Sequence, residues 1–460
     1  MNNRRANRGG FPARTFTAAV LLFILASGTA AAEALSLPEA VQKALENNHE
    51  LKAYRNAHAA KEADIGLARS LLLPRISLEE RYLRTVNPTY AFMTRLNQER
   101  IGTADFAPDA LNRPEAVNDY QTSLTVEQPL YVRKFNIGLE MSKTESLASE
   151  KALQRKREEI AFRVVQSYLT AETAGEYLRV AQGALEDARE HRRLALARYE
   201  AGLGLYSDIL RAGTAETEAE QNLVSARKRL AVAKLALGLM VGSGEAVELS
   251  GTKPSLPIRD IEDLRSRSQA RRDIMALELR KENAENQVRL ADAGYFPYLG
   301  MGGAYQMNDR NAPLGREGDN WQFMAFLKWE LFDGTKRKYE RIKAGHQVSE
   351  LGEQLEGMKK QVSFQVEEAW LTIEEARKNL ELAQESLRTA EEGRRLVRAR
   401  YEGSLSPIVD MLDAQLSRDH AAANLVAREN EYQMAIAYLC YASGTIMADL
   451  QMEEPKGETR

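Results

Sequence analysis

The chain has 460 residues, of which 44% are hydrophobic and 28% charged, and a formal net charge of −3 at pH 7. This small acidic excess argues against a nucleic-acid partner, because such partners require a strongly basic surface. The single cysteine, Cys440, rules out an intrachain disulfide framework, and its apolar neighbours predict a buried side chain. Metal-ligand spacings such as H-E-x-x-H, nucleophile elbows and phosphate-binding glycine loops are absent from the sequence, so we expect no catalytic residue, metal site or cofactor.

The N-terminal segment has the three parts of a secretory signal peptide. Arginines at positions 4, 5, 8 and 14 precede an apolar run at 16–26 and small residues that end at Ala32. This order predicts a signal peptide at 1–32 that is removed near Ala32. The apolar run is shorter than the roughly 20 residues of a membrane-spanning helix, and no cysteine follows it, so we expect neither a helical anchor nor a lipid anchor.

Two copies of one pattern make up the remaining chain. Residues 198–212, RYEAGLGLYSDILRA, align without a gap with residues 400–414, RYEGSLSPIVDMLDA. The offset there is 202, but it is 223 where Pro74 aligns with Pro297, so the first copy holds 21 additional residues before about Pro129. This self-similarity predicts a tandem duplication, with repeat 1 at 33–245, an equatorial connection at 246–272, repeat 2 at 273–445 and a tail at 446–460.

Each repeat contains two helical patterns separated by a short turn. The first pattern is long and free of proline, at 134–201 and 336–402, and the second is shorter, at 207–241 and 407–442. In the long patterns, small or apolar positions alternate between spacings of three and four, from Leu178 to Tyr199 and from Leu380 to Tyr401. That spacing is typical of coiled coils, so each repeat should form an antiparallel helical hairpin about 100 Å long.

Ahead of each long helix, apolar and polar residues alternate with the period of two that is typical of β-strands. The alternation predicts strand hairpins at about 75–131 and at 298–332. Each strand is about ten residues long, enough for a tilted transmembrane strand, and one face is apolar with aromatic residues at its ends. Four strands cannot close a barrel, and open sheet edges are not tolerated in lipid, so other copies must complete the sheet. A trimer would supply twelve strands and twelve helical segments, enough to enclose a lumen.

The predicted fold is therefore mainly α with a small β part, built as a tandem repeat. Together with the signal peptide and the tip pattern Y-x-x-G/S-x-x-x-x-x-D, it resembles the TolC family of outer-membrane efflux channels over essentially the whole mature chain. The resemblance implies a homotrimer with a short twelve-strand β-barrel in outer-membrane lipid and an α-barrel of coiled-coil hairpins in the periplasm. It also implies a non-enzymatic exit duct for efflux or type I secretion. Such a duct works with a periplasmic adaptor and an inner-membrane transporter of the RND, ABC or MFS class. The resemblance does not identify the exported substrate.

The resemblance also implies gating roles for residues near the two helical turns. Asp410 and Asp413 match paired aspartates that form acidic rings at the periplasmic aperture. Tyr401 and Asp208 match members of a closing network that is centred on an arginine. An alternative for all three aspartates is that they stabilise the positive N-terminal end of a helix.

Ser406 stands where the resemblance would place the closing arginine. A closing contact must therefore use other groups, and Arg211 and Arg400 are the candidates. The turns themselves are expected to dock the adaptor, and they comprise Gly202, Leu203, Gly204, Ser404, Leu405 and Ser406.

A different class of protein would explain part of the same pattern. A periplasmic coiled-coil adaptor or scaffold without a transmembrane barrel would share the signal peptide and the helical hairpins. Such a protein would not require the two amphipathic strand pairs. In the channel interpretation, the loop from Thr85 to Asn118 should face the cell exterior, because insertions in such barrels collect in extracellular loops.

Overall fold

The computed structural model describes residues 34–251 and 256–452. The predicted signal peptide at 1–32 lies outside the described residues, as does the predicted tail from residue 453 onward. The first repeat contains α1 (Leu37–Asn47), α2 (His49–Ser70), β1 (Arg75–Thr85), α3 (Pro88–Asn97), α4 (Pro108–Asn112), β2 (Val117–Tyr131), α5 (Arg133–Glu200) and α6 (Tyr206–Val241). There follow α7 (Ile261–Ser268), α8 (Arg272–Asp292), β3 (Tyr298–Asp309), β4 (Gly318–Lys328), α9 (Lys336–Glu402), α10 (Ile408–Ala442) and α11 (Ile446–Asp449). The predicted fold class, mainly helical with four antiparallel strands, is confirmed.

The long helices form two hairpins that lie side by side. Helix α5 has 68 residues and therefore extends about 100 Å. It packs against α6 through small and apolar residues such as Leu185, Ala188 and Ala219, which allow close approach of the two backbones. Helix α9 pairs with α10 in the same way, and α10 also contacts α5. The four helices thus lie in the order α6, α5, α10, α9.

Two helices that precede the strands were not foreseen from the sequence. Helix α2 begins at Asn48, whose side chain accepts hydrogen bonds from the backbone nitrogens of Glu50 and Leu51 at 2.9 and 3.2 Å. Helix α8 packs Ile274 and Leu277 against Leu355 of α9. Both helices extend the helical body toward the sheet, because α2 contacts α5 and α8 contacts α5 and α9.

The strands form one antiparallel sheet in the order β1-β2-β3-β4. Each predicted hairpin is present, and β2 and β3 join the two repeats, with Leu124 opposite Tyr305. One face of the sheet is mainly apolar and the other mainly polar, although Glu80 and Asp319 lie on the first and Met324 and Phe326 on the second. The apolar face carries Ile76, Leu78, Leu124, Val126, Tyr305, Trp321, Phe323 and Leu327, and the polar face carries Glu79, Arg81, Gln121, Ser123, Thr125, Gln306, Asn308, Asn320 and Gln322. Strands β1 and β4 each leave one edge without a partner in the single chain.

The largest hydrophobic core lies around the middle of α5, where α1, α9, α10 and α11 converge. The ring of Phe162 stacks on Tyr441 at 4.8 Å between centroids, and the hydroxyl of Tyr168 donates to the carbonyl oxygen of Leu35 at 3.2 Å. Burying each large side chain of this kind contributes about 1.5–3 kcal/mol. Cys440 lies in this core and is 3% exposed, as its neighbours predicted, and burial raises the pKa of its thiol. Within the described residues, no helix contains an apolar stretch long enough to cross a membrane.

Candidate functional site

The two helical turns meet at one end of the molecule. The α5–α6 turn contains Gly202 with φ +72°, and the α9–α10 turn contains Ser404 with φ +62°, so both turns use the left-handed region at equivalent repeat positions. Glycine adopts this conformation without strain, whereas serine does so at a cost of about 1–2 kcal/mol. Beneath the turns, the two hairpins share an apolar cluster formed by Ala195, Ala212, Tyr401, Ile408 and Met411.

Arg198 joins the two tips. Its guanidinium lies over the ring of Tyr401, 4.7 Å from the centroid, and donates to the backbone oxygen of Tyr401 at 2.8 Å. The same side chain donates to the hydroxyl of Ser404 at 2.9 Å. The candidates from the sequence were Arg211 and Arg400 instead, and the exposed side chains of both form no hydrogen bond or ion pair within the described residues. The repeat could have made Arg198 a further candidate, because it occupies the position equivalent to Arg400, but it could not have decided between the two.

Tyr401 lies in the shared cluster beneath the tips. It is only 3% exposed, and its hydroxyl is buried without a hydrogen-bond partner among the described residues. Burial raises the pKa of this hydroxyl, so it stays protonated. The hydroxyl of Ser406 is likewise buried and unpaired, so Ser406 does not replace the missing arginine in the described part of the chain.

Asp208 lies in the first turn of α6. Its carboxylate accepts a long hydrogen bond, 3.4 Å, from the backbone nitrogen of Leu205 at the start of that helix. This contact fits the alternative role of stabilising a helix N-terminus. No hydrogen bond joins Asp208 to Tyr401 among the described contacts.

Asp410 and Asp413 lie on the exposed side of α10. Their spacing of three residues places both on one side of the helix, while Ile408, Met411 and Gln415 are buried on the other. Neither carboxylate has a hydrogen-bond or ion-pair partner within 34–251 and 256–452, so both charges are available to solvent. Asp413 also lines a cleft of about 880 Å³ between α6 and α10, with His191 and Arg211 among its other lining residues.

A polar network joins the two hairpins further from the tips than Arg198. The amide of Gln415 donates to Asp187 at 3.0 Å, and Arg394 donates to the same carboxylate at 2.9 Å. His191 is buried beside them, with Nε2 lying 3.5 Å from the Gln415 oxygen and Nδ1 unpaired. Burial lowers the pKa of His191, so the imidazole is neutral at pH 7. Within the described ranges, no three His, Cys, Asp or Glu side chains are grouped closely enough to hold a metal ion.

Long paired helices continuing into an amphipathic, open-edged sheet define the TolC-like fold. A profile described as "Outer membrane efflux protein" matches residues 40–243 and 264–445, so the chain belongs to the outer membrane efflux protein family. This family consists of transport channels rather than enzymes.

Solved structures share the fold. A membrane protein from Pseudomonas aeruginosa is 22% identical with a TM-score of 0.73, covering 89% of this chain and 93% of that chain. The outer membrane protein VceC of Vibrio cholerae is 18% identical with a TM-score of 0.72, covering 89% and 96%. Among curated relatives, the alkaline protease secretion protein AprF of Pseudomonas aeruginosa is 26% identical over 195 residues, which are 42% of this chain and 37% of AprF. The matched segment therefore spans little more than a third of that relative.

Proposed function

We propose that three copies of this chain form an exit duct of the outer membrane, through which substrates delivered by an inner-membrane pump and a periplasmic adaptor leave the cell. The observation that carries the proposal is the sheet, which has one apolar face and two open edges. Open edges leave backbone groups unpaired, and lipid offers them no hydrogen-bond partner. Pairing β1 of one copy with β4 of the next closes twelve strands into a barrel around a polar lumen.

The helices support the same trimer. In the single chain, α6 and α9 are the outermost helices, and both expose large apolar side chains along their length: Val224, Val232 and Leu239 on α6, and Phe364, Leu371 and Leu382 on α9. Exposed apolar patches of this extent are typical of surfaces that contact other proteins. We infer that α6 of each copy packs against α9 of the next, which closes a ring of twelve helices in line with the barrel.

The tips supply the aperture and the docking surface of this duct. Asp410 and Asp413 would present six carboxylates around the periplasmic entrance, and Tyr401 and Asp208 would help to hold the tips together. The docking surface would comprise Gly202, Leu203, Gly204, Ser404, Leu405 and Ser406. Leu203 and Leu405 are 67% and 73% exposed at equivalent repeat positions, so each copy offers a partner two similar apolar tips.

Matched lysine substitutions on the two faces of β4 test the barrel. A lysine on the lipid face of a barrel costs about 2–4 kcal/mol near the bilayer midplane, whereas the lumenal face tolerates charge. Phe323→Lys should therefore sharply reduce the trimer recovered from outer membranes, and Gln322→Lys, at the adjacent position on the polar face, should not. Membrane fractionation and native mass spectrometry in detergent provide the measurement. A wild-type protein recovered as a soluble periplasmic species, or equal effects of the two lysines, would favour the adaptor or scaffold alternative.

A further inference from the structure

The additional residues of the first repeat lie within a folded segment at one end of the sheet. This segment, residues 86–116, contains α3 and α4 and is here called the cap. The corresponding connection in the second repeat, residues 310–317, is a short turn without a helix. Within the cap, Arg95 donates to Asp105 at 2.6 Å, and the rings of Phe92 and Phe106 meet edge to face at 5.8 Å. The insertion is therefore structured and has internal contacts of its own.

The cap folds onto the polar face of the sheet. The side-chain nitrogen of Gln98 donates to the carboxylate of Asp119 at 3.0 Å, and Asn308 donates to both oxygens of that carboxylate at 3.0 Å. Asp119 and Asn308 lie on the same face as Gln121, which is the polar face. On β4, a Cβ atom added to Gly318 would collide with the backbone oxygen of Asn97, so the end of α3 also lies directly over that strand.

The two sides of α3 have opposite environments. Ala91 and Thr94 are buried, as is Gln98 just beyond the helix, and their spacing places all three on the side of α3 from which Gln98 contacts the sheet. Met93 and Leu96 are each 47% exposed and point away from that buried side, given the 3.6-residue turn of an α-helix. Since the buried side covers the polar, lumenal face, the exposed side points toward the centre of the lumen. Two apolar side chains therefore extend into space that the sheet otherwise lines with polar groups.

We propose that the cap is a constriction at the outer mouth of the duct, in which Met93 and Leu96 from three copies of the chain meet around the axis. The inference rests on the proposed trimer and adds a second narrow point, at the opposite end from the helical tips. The Met93 and Leu96 side chains of each copy contact the same two side chains of the other two copies. An apolar constriction resists the passage of water and ions until it is displaced. Gln98 hydrogen-bonds the cap to the sheet, and the buried side of α3 otherwise carries the small side chains of Ala91 and Thr94. Because these contacts are few, a passing substrate can displace the cap.

Cysteine accessibility in intact cells tests this constriction independently of the periplasmic tips. The native thiol of Cys440 is buried in the helical core, so the protein without an added cysteine should not react with the reagents. Ser77→Cys places a thiol on the polar face, because Ser77 pairs with Thr125, about 20 Å along β2 from Asp119. Asp109→Cys places one on the exposed surface of the cap itself. A small methanethiosulfonate reagent and a bulky polyethylene-glycol maleimide are added from outside the cell.

We expect Asp109→Cys to react with both reagents and Ser77→Cys to be protected from the bulky one. Ala91→Arg places a long side chain on the buried side of α3 and should displace the cap. The bulky reagent should then label Ser77→Cys at least tenfold faster than it does behind the unmodified cap. The matched control, Ala91→Ser, keeps a small side chain at the same buried position and should retain the protection. Bulky labelling of Ser77→Cys behind an unmodified cap, or protection that survives Ala91→Arg in an assembled trimer, would overturn the constriction. Labelling of Asp109→Cys only after the cells are ruptured would instead contradict the orientation of the proposed duct.

Discussion

The guanidinium of Arg198 stacks on the ring of Tyr401 and donates a 2.8 Å hydrogen bond to the backbone oxygen of the same residue. These two residues belong to different repeats, so the contact joins two hairpins that no covalent link connects at this end. Ser406 occupies the position at which the family resemblance places an arginine, and its buried hydroxyl has no partner among the described residues. Arg198 therefore places a cation between the two tips from the first repeat instead of the second.

We predict that Arg198→Ala loosens the tips. The substitution removes a cation–π contact worth about 0.5–1 kcal/mol and hydrogen bonds from a charged donor worth about 1.5–3 kcal/mol. A net loss of about 2 kcal/mol would raise the open population roughly thirty-fold. Single-channel recordings in planar bilayers should show more frequent opening. Arg400→Ala, at the equivalent but exposed position, is the matched control and should behave as the wild type; equal opening in both variants would remove Arg198 from the closing contact.

Neutralising the acidic tip should change ion selectivity and leave assembly intact. Asp410 and Asp413 are exposed and unpaired within the described residues, so replacing both with asparagine breaks no contact there. In a trimer, the change removes six charges that attract cations to a narrow entrance. Cation selectivity and block by multivalent cations should both fall sharply in planar bilayers. If the two residues serve only the helix N-terminus, the double variant will show a small stability loss and unchanged selectivity.

The tips should loosen as the pH falls through the range of histidine. Burial lowers the pKa of His191 below its ordinary value near 6.5, so the unfolded or opened segment binds a proton before the packed one does. The stabilisation is complete above about pH 6.5 and is lost as the pH falls from there toward the lowered pKa. The groups around this imidazole are Asp187 on its own helix, Arg394 and Arg398 on α9, Gln415 and Asp419 on α10, and Arg211 and Glu218 of α6 along the adjoining cleft.

Channel opening between about pH 7.5 and 5 measures this effect, since that range spans the ordinary pKa of histidine. The wild type should open more often at the acidic end, and His191→Gln should lose most of that dependence. His420→Gln is the matched control, because His420 is exposed in the same cleft and should not affect the profile. An unchanged profile in His191→Gln would exclude the buried imidazole as the sensor.

The long helices and strands were predictable because their sequence patterns are local and extend over many residues. The three-four spacing from Leu178 to Tyr199 predicted a coiled coil, and the alternation along β4 predicted a two-faced strand. Helix α2 has a weak pattern, since Leu51 is its only buried residue among the 22 that form it. Helix α3 is short, although the pair Asn87-Pro88 is a helix-start signal that could have been used. The arginine that joins the two tips was not predictable, because tertiary packing decides which tip reaches across to the other, and the equivalence of Arg198 and Arg400 does not reveal it.

A buried ion pair between Arg155 and Glu158 lies in the helical core. Arg155 donates to Glu158 at 2.7 Å and to the backbone oxygen of Tyr441 at 3.1 Å, and its guanidinium lies 4.0 Å from the centre of the Tyr441 ring. Burial raises the pKa of Glu158 despite this partner. Removing Arg155 would leave a buried carboxylate without its hydrogen-bonded cation while Arg272 stays nearby, and breaking a buried pair typically costs about 3–5 kcal/mol. Arg155→Ala should therefore lower the melting temperature of the detergent-solubilised protein strongly at pH 7.

The dependence of that loss on pH separates the buried charge from lost packing. The raised pKa means that folded Glu158 takes up a proton more readily than the unfolded chain, so stability is gained as the pH falls and lost as it rises through the folded pKa. Arg155→Ala should therefore be less damaging near pH 5 than near pH 7, because a protonated Glu158 no longer requires a cation. The double variant Arg155→Ala with Glu158→Gln should recover part of the loss at pH 7 and show little dependence on pH. Thermal unfolding followed by circular dichroism at both pH values gives the comparison, and a loss of equal size at both, unrelieved by Glu158→Gln, would assign the effect of Arg155 to its packing on Tyr441.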